Sequence, residues 1–187
     1  MRNRLGELIE HNSVFRVGLI ILVFIAIVVA LTLAMRFVLG DQVLGIDFLT
    51  FWTAAKSFFF HHLSPYSDAV VEEIQRARYQ RLAVPGEDPM AFVYPLFMLL
   101  LVFPYSLFDF PHAQALWFSV NLLLLTSMAY LSFSRKNLWM IISIPFIYPV
   151  SFSLILGNFN LLIGLIFFLF YWAYFSGNIH NPRIQTL

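Results

Sequence analysis

The chain has 187 residues, of which 60% are hydrophobic and 11% charged, with 22 Phe, no Cys and a formal net charge of +1. An average soluble domain carries about 25% charged residues, so a water-soluble globule of this length could not cover its apolar surface. Disorder, collagen and coiled coil are excluded by the same figures. Without Cys there is no disulfide framework, thiolate metal site or cysteine nucleophile, and a net charge of +1 gives a nucleic-acid partner no electrostatic support.

The first apolar run, Val17 to Met35, is free of charge and follows Arg2, Arg4 and Arg16. At 1.5 Å per residue it is long enough for a hydrocarbon core of about 30 Å. Thr32-Leu33-Ala34 would pass as a signal-peptide cleavage site. The run exceeds a usual signal core, however, and further apolar segments follow, so a retained first span is expected.

The loop after it begins with Asp47 to Phe60, in which Phe48, Phe51, Trp52, Ala55, Phe58 and Phe59 recur at helical spacing. The pattern predicts a helix in the membrane interface, with Trp52 at headgroup depth and Lys56 reaching to water. Asp47 stands at its start. It is either an N-cap accepting the amide of Leu49 or Thr50, or a carboxylate held at the membrane surface to take a proton or help bind a metal. The two roles are compatible.

His61-His62 and Ser64-Pro65-Tyr66 close this helix with a turn, and adjacent histidines point in different directions, which argues against a paired metal site. Val70 to Leu82 reads as a surface helix with an i,i+4 pair from Glu72 to Arg76. Pro85-Gly86-Glu87-Asp88-Pro89 is a turn-rich link. Phe92 to Phe108 is apolar but short and interrupted by Pro95 and Pro104; Phe92-Val93-Tyr94-Pro95 is expected to open a short interfacial helix.

Further spans are expected at Ala113 to Phe133, at Leu138 to about Leu156 with Pro145 and Pro149 inside it, and at about Asn160 to Phe175. If Phe92 to Phe108 stays in the outer interface, Arg2, Arg4, Arg16, Arg135, Lys136 and Arg183 share the inner side with Glu7 and Glu10. The outer loop 40–112 then holds Lys56, Arg76, Arg78 and Arg81 against eight acids. The positive-inside rule favours this arrangement. It gives an all-α integral membrane protein of about four transmembrane helices, with a cytoplasmic N-terminus at 1–16, a transmembrane domain at 17–176 and a cytoplasmic tail at 177–187. The plasma membrane is its expected location. Gly157-Asn158-Phe159-Asn160 falls between the last two spans, on the side of Asp47. Its asparagines serve as helix caps or as hydrogen-bonding groups for sugar or phosphate.

These parts follow a recognisable order: one span, Asp47-Phe48-x-x-Phe51-Trp52-x-Ala54, Pro65-Tyr66, Phe92-x-Tyr94-Pro95 with Pro104 downstream, Ala115-x-Trp117, and Gly157-Asn158-x-Asn160-Leu161-Leu162. Over residues 17 to 176 the chain resembles the N-terminal half of glycosyltransferase family 87, within the GT-C superfamily of polyprenyl-phosphate-sugar-dependent enzymes. Leu96 and Asn158 stand where the family often has Pro and Gln. Family members are usually much longer, so the resemblance implies a truncated gene, a fragment or a split half whose partner is the missing C-terminal part.

The resemblance further implies a GT-C-like bundle fragment with an extracytoplasmic site in a loop of juxtamembrane helices. The implied reaction is inverting transfer of a hexose, typically mannose, from a polyprenyl-phosphate donor to a lipid or polysaccharide acceptor, with Asp47 as the base. Trp52, Lys56, Tyr66, Tyr94, Asn158 and Asn160 are the expected substrate-binding residues. No tightly bound metal is expected, and a divalent cation is an alternative source of charge for the leaving phosphate, beside Lys56 and the arginines at 76, 78 and 81. Two other readings are a non-catalytic scaffold that keeps the fold and a small transporter subunit. No charge stands at the centre of any expected span, which weighs against the transporter.

Overall fold

The computed structural model describes residues 13–132 and 138–179. Arg135, Lys136, Arg183 and the first twelve residues, on which the charge argument draws, lie outside them. Among the described residues the chain is helical, without strands.

Helix α1, Ser13–Leu39, has a mean hydropathy of 3.2 over Val17–Leu39 and no buried residue in its most apolar stretch. It is apolar all round, with one side against the helix Phe110–Ser132 and the rest exposed, the pattern of a helix with hydrocarbon for a neighbour. Arg36 in its last turn pairs with Asp41 at 2.6 Å. α5, Phe110–Ser132, is the second helix long and apolar enough to cross a membrane, over Phe110–Tyr130. It is the hub of the molecule, packing against α1, α2 (Ile46–His61) and α4 (Met98–Ser106) and against the helices that follow it.

The other two expected spans are less simple. Leu138 to Leu156 is broken into α6 (Leu138–Ser143), a 3₁₀ turn (Ile144–Phe146) and α7 (Tyr148–Leu156). Pro145 and Pro149 cause the break, since neither has an N–H for the helical ladder; Pro149 then fits the first turn of α7. α8 is Asn160–Ile179, 20 residues long, and its sequence is apolar from Leu161 to Phe175.

Two shorter helices complete the body: α2, Ile46–His61, and α3, Asp68–Tyr79. α2 departs from the expected interfacial helix. Phe48, Leu49, Thr50, Phe51, Thr53, Ala54, Ala55 and Ser57 are all buried, and α3, α4, α5 and α7 surround it. The residues between its aromatics are small, so neighbouring helices approach from several sides. α2 is therefore the core of the body.

Phe92 to Phe108 runs alongside this core helix. Phe92 and Tyr94 pack on Phe51, Phe103 on Phe59 and Phe60, and Tyr105 back on Phe48. Only α4, Met98–Ser106, is helical in it. Nine residues rise about 14 Å, half of what a crossing needs. Pro95 does not open that helix. It precedes it, and its carbonyl accepts the amide of Met98 in the leading turn.

Candidate active site

Asp47 is the second residue of α2, in the first turn of a helix whose N-cap is Gly45, so it does not cap the helix itself. The Gly45 carbonyl accepts the amide of Leu49 at 2.8 Å. Among the described residues the Asp47 carboxylate has no hydrogen-bond or ion-pair partner. It faces a cavity of about 230 Å³ lined by Asp47, Thr50 and Phe51 from α2 and by Asp88 to Ala91, Val93 and Tyr94 from the link and the stretch before α4. Partial burial raises its pKa above the usual 3.8, and the negative charge of Asp88 raises it further. The result is a carboxylate more basic than one in water, with space beside it.

The wall opposite α2 is fixed by hydrogen bonds from α3. Tyr79 Oη donates to the Asp88 carbonyl at 3.2 Å, and Gln75 Nε2 donates to the Pro89 carbonyl at 2.9 Å. Asp88 Oδ1 accepts the amide of Met90 at 2.8 Å. The preceding turn is tied by Arg81, which grips both Glu87 oxygens at 2.7 and 2.6 Å. That pair, with the Val84 amide, holds the Glu87 carboxyl down at about 2. Tyr94 is partly buried, and burial and the Asp47 charge both raise its phenol pKa, so it stays a neutral hydroxyl at pH 7.

The remaining expected site residues are placed as follows. Tyr66 stands behind the wall: its hydroxyl donates to the Tyr94 carbonyl at 2.7 Å. Trp52 and Lys56 do not line the cavity. At 100° per residue they lie far round α2 from Asp47. Trp52 Nε1 donates to the Phe108 carbonyl at 3.2 Å, and Lys56 Nζ sits 4.5 Å from the Trp52 ring. Arg76 pairs with Glu72 at 3.3 Å, the i,i+4 pair the sequence predicts.

The turn 157–160 meets the start of α2. Phe159 stacks on Phe51 with ring centres 4.2 Å apart, and its ring is 5.7 Å from that of Tyr94. Asn158 takes the capping role: its Oδ1 accepts the Asn160 amide at 3.1 Å. Asn160 is exposed. Gly157 has φ +72°, and a Cβ there would come within 2.7 Å of Phe48 Cβ.

Two contributors were not legible as such. Asp88 sits in a segment with every mark of a turn, and only the fold brings it to the cavity of Asp47. Gln114 lies in an apolar run but is wholly buried, and it binds the loop before α2 at three points. The available signal was a side-chain amide in such a run, one of two there with Asn121, because a polar group there needs a partner.

The described residues thus define a helical protein with two helices long and apolar enough to cross a membrane and, between α2 and the 88–94 stretch, a cavity with two acidic and two aromatic residues in its lining. Residues 92–180, just under half of the chain, match the family model of glycosyltransferase family 87. The match takes in Tyr94-Pro95, Trp117 and the turn 157–160, and it begins after Asp47, Trp52, Lys56 and Tyr66. It marks the chain as similar to glycosyltransferases. No curated protein and no solved structure matches the chain.

Proposed function

We propose that the chain is a membrane glycosyltransferase, or the N-terminal part of one, in which Asp47 is the general base. The observation that carries this is a half-buried, unpartnered carboxylate in the first turn of the core helix, open to a cavity whose far wall includes Tyr94 of the family-matched segment.

The reaction is transfer of a hexose, mannose in the first instance, from a polyprenyl-phosphate donor to a hydroxyl of a lipid or glycan acceptor. Asp47 takes the proton of that hydroxyl as its oxygen bonds to the anomeric carbon. The bond from that carbon to the phosphate oxygen breaks, and polyprenyl phosphate leaves with the electron pair from the opposite face, inverting the centre. Desolvation supports the role, since a carboxylate with a raised pKa is the stronger proton acceptor. Tyr94 offers a neutral hydroxyl and a ring face to the sugar, and Asn160 an exposed amide near the Phe159 contact. Tyr66 acts by holding the Tyr94 backbone.

The site faces the extracytoplasmic side in a multi-pass protein of four spans, with the broken 138–156 segment and α8 completing the crossings within the assembled protein. The test is Asp47→Asn in the full chain, assayed with polyprenyl-phosphate mannose and total membrane lipid. General-base catalysis is worth about 10²–10⁴-fold, and turnover falls by that factor while membrane expression is unchanged. Near-normal turnover removes Asp47 from the mechanism.

A further inference from the structure

The start of α2 is held by a side chain seventy residues away. Gln114 on α5 is completely buried. Its Oε1 accepts the amides of Leu44 at 3.0 Å and Gly45 at 2.9 Å, and its Nε2 donates to the Gln42 carbonyl at 2.9 Å. One carboxamide therefore pins both polarities of the 42–45 loop, whose last residue is the N-cap of α2. No local side chain does this work: Gly45 has none, α2 has no side-chain cap hydrogen bond, and the local bonds of the loop are two backbone ones, from the Gln42 amide to the Leu39 carbonyl and from the Ile46 amide to the Leu44 carbonyl.

The turn after α7 presses on the same point. A Cβ on Gly157 would lie 3.5 Å from Gly45 Cα, and one on Gly45 would lie 3.7 Å from the Leu156 carbonyl oxygen and 3.6 Å from Gln114 Oε1. Asp47 comes two residues after Gly45, so the side chain and the turn that seat Gly45 also fix where the carboxylate enters the cavity. Both belong to the family-matched segment 92–180, whereas Asp47 does not.

We propose that Gln114 is a positioning residue for Asp47: its amide clamps the 42–45 loop and so sets the register and direction of the first turn of α2. The assignment rests on the reading of Asp47 as the base, and its test separates the two. Gln114→Leu keeps the approximate volume and removes all three hydrogen bonds. Gln114→Glu keeps the shape, and when protonated it restores an acceptor for the two amides and a donor for the Gln42 carbonyl.

In the full chain, assayed as above, Gln114→Leu lowers kcat by up to about 100-fold at unchanged donor KM, the scale of a reacting group displaced by about 1 Å. Backbone hydrogen exchange rises over 42–48 and stays as in the parent over 98–106 and 121–129. Gln114→Glu recovers turnover as the pH is lowered, relative to the parent at each pH, and Gln114→Leu does not. A parental kcat in Gln114→Leu, or parental exchange over 42–48, overturns the proposal. If Gln114→Leu does not fold, the pH response of Gln114→Glu decides alone, and a flat ratio to the parent overturns it. If Asp47→Asn itself turns over normally, the base reading fails, and unchanged exchange over 42–48 is then the result that refutes the clamp.

Discussion

The proposed base, Asp47, has its pKa raised by burial and by the charge of Asp88. A base must be ionised, so turnover is lost as the pH falls through the pKa of Asp47. Burial is the larger cause of its upward shift and Asp88 the smaller. Asp88→Asn is therefore expected to move the acid limb of the kcat/KM–pH profile to lower pH, with the upward shift from burial remaining. An unmoved limb would show that Asp88 does not act on Asp47. The stability sign runs opposite to that of a salt-bridged acid. A raised folded-state pKa means that folding favours the protonated form, so ionising Asp47 costs stability above that pKa. Asp47→Asn lacks this cost and is expected to melt no lower than the parent at pH 7, in thermal denaturation followed by tryptophan fluorescence. Glu87 has the usual sign. Its carboxyl is held down at about 2 by Arg81, so its contribution is present above 4.5 and lost as the pH falls toward 2.

At the scale of elements, the pattern of residues located helices well and their surroundings poorly. The helix expected from Asp47 to Phe60 is Ile46–His61, and that expected from Val70 to Leu82 is Asp68–Tyr79. Period 3.6 is a local property and survives in any context. What α2 packs against is not local: aromatic spacing reads the same on an interfacial helix as on one enclosed by four others. The Gln114 bonds to Leu44 and Gly45 join residues 70 and 69 apart, beyond the reach of any periodicity. The turn at 157–160 was legible because Gly-Asn-x-Asn marks a helix end followed by a start. Its reason for being glycine was not. A side chain at Gly157 meets both a left-handed backbone at φ +72° and Phe48 Cβ at 2.7 Å. Gly157→Ala is expected to destabilise the protein by about 1–3 kcal/mol from crowding alone. Gly86→Ala is also at positive φ but has nothing within 4 Å of its Cβ, and it carries only the backbone strain. A difference in melting temperature between the two variants isolates the α2–α7 contact, and equal melting would refute it.

At the scale of the whole molecule, charge and packing bear on the same question from different sides. The acids of 40–112 and the basic residues of the termini and of 135–136 fit one arrangement across a bilayer, with the loop outside. Packing adds that both ends of Phe92 to Phe108 return to α2, that α4 is too short to cross, and that the 157–160 turn touches the start of that helix. The loop and the turn therefore belong to one body, and the proposed topology puts both on the same side of the bilayer. Single cysteines can test this in a chain that has none of its own. Val84 is half exposed in the link beside the cavity, and Asn160 is exposed at the start of α8. Both Val84→Cys and Asn160→Cys are expected to react with an impermeant maleimide added to intact cells, whereas Asn137→Cys reacts only after the cells are opened. Labelling of Val84→Cys without Asn160→Cys would separate the loop from the turn and break the site. Labelling of Asn137→Cys in intact cells would reverse the crossing of α5. If both cysteines label from outside, Asp47 faces the outer leaflet, where the proposed lipid-linked donor would be presented; labelling of both only in opened cells would put the cavity within reach of soluble sugar nucleotides and count against that donor.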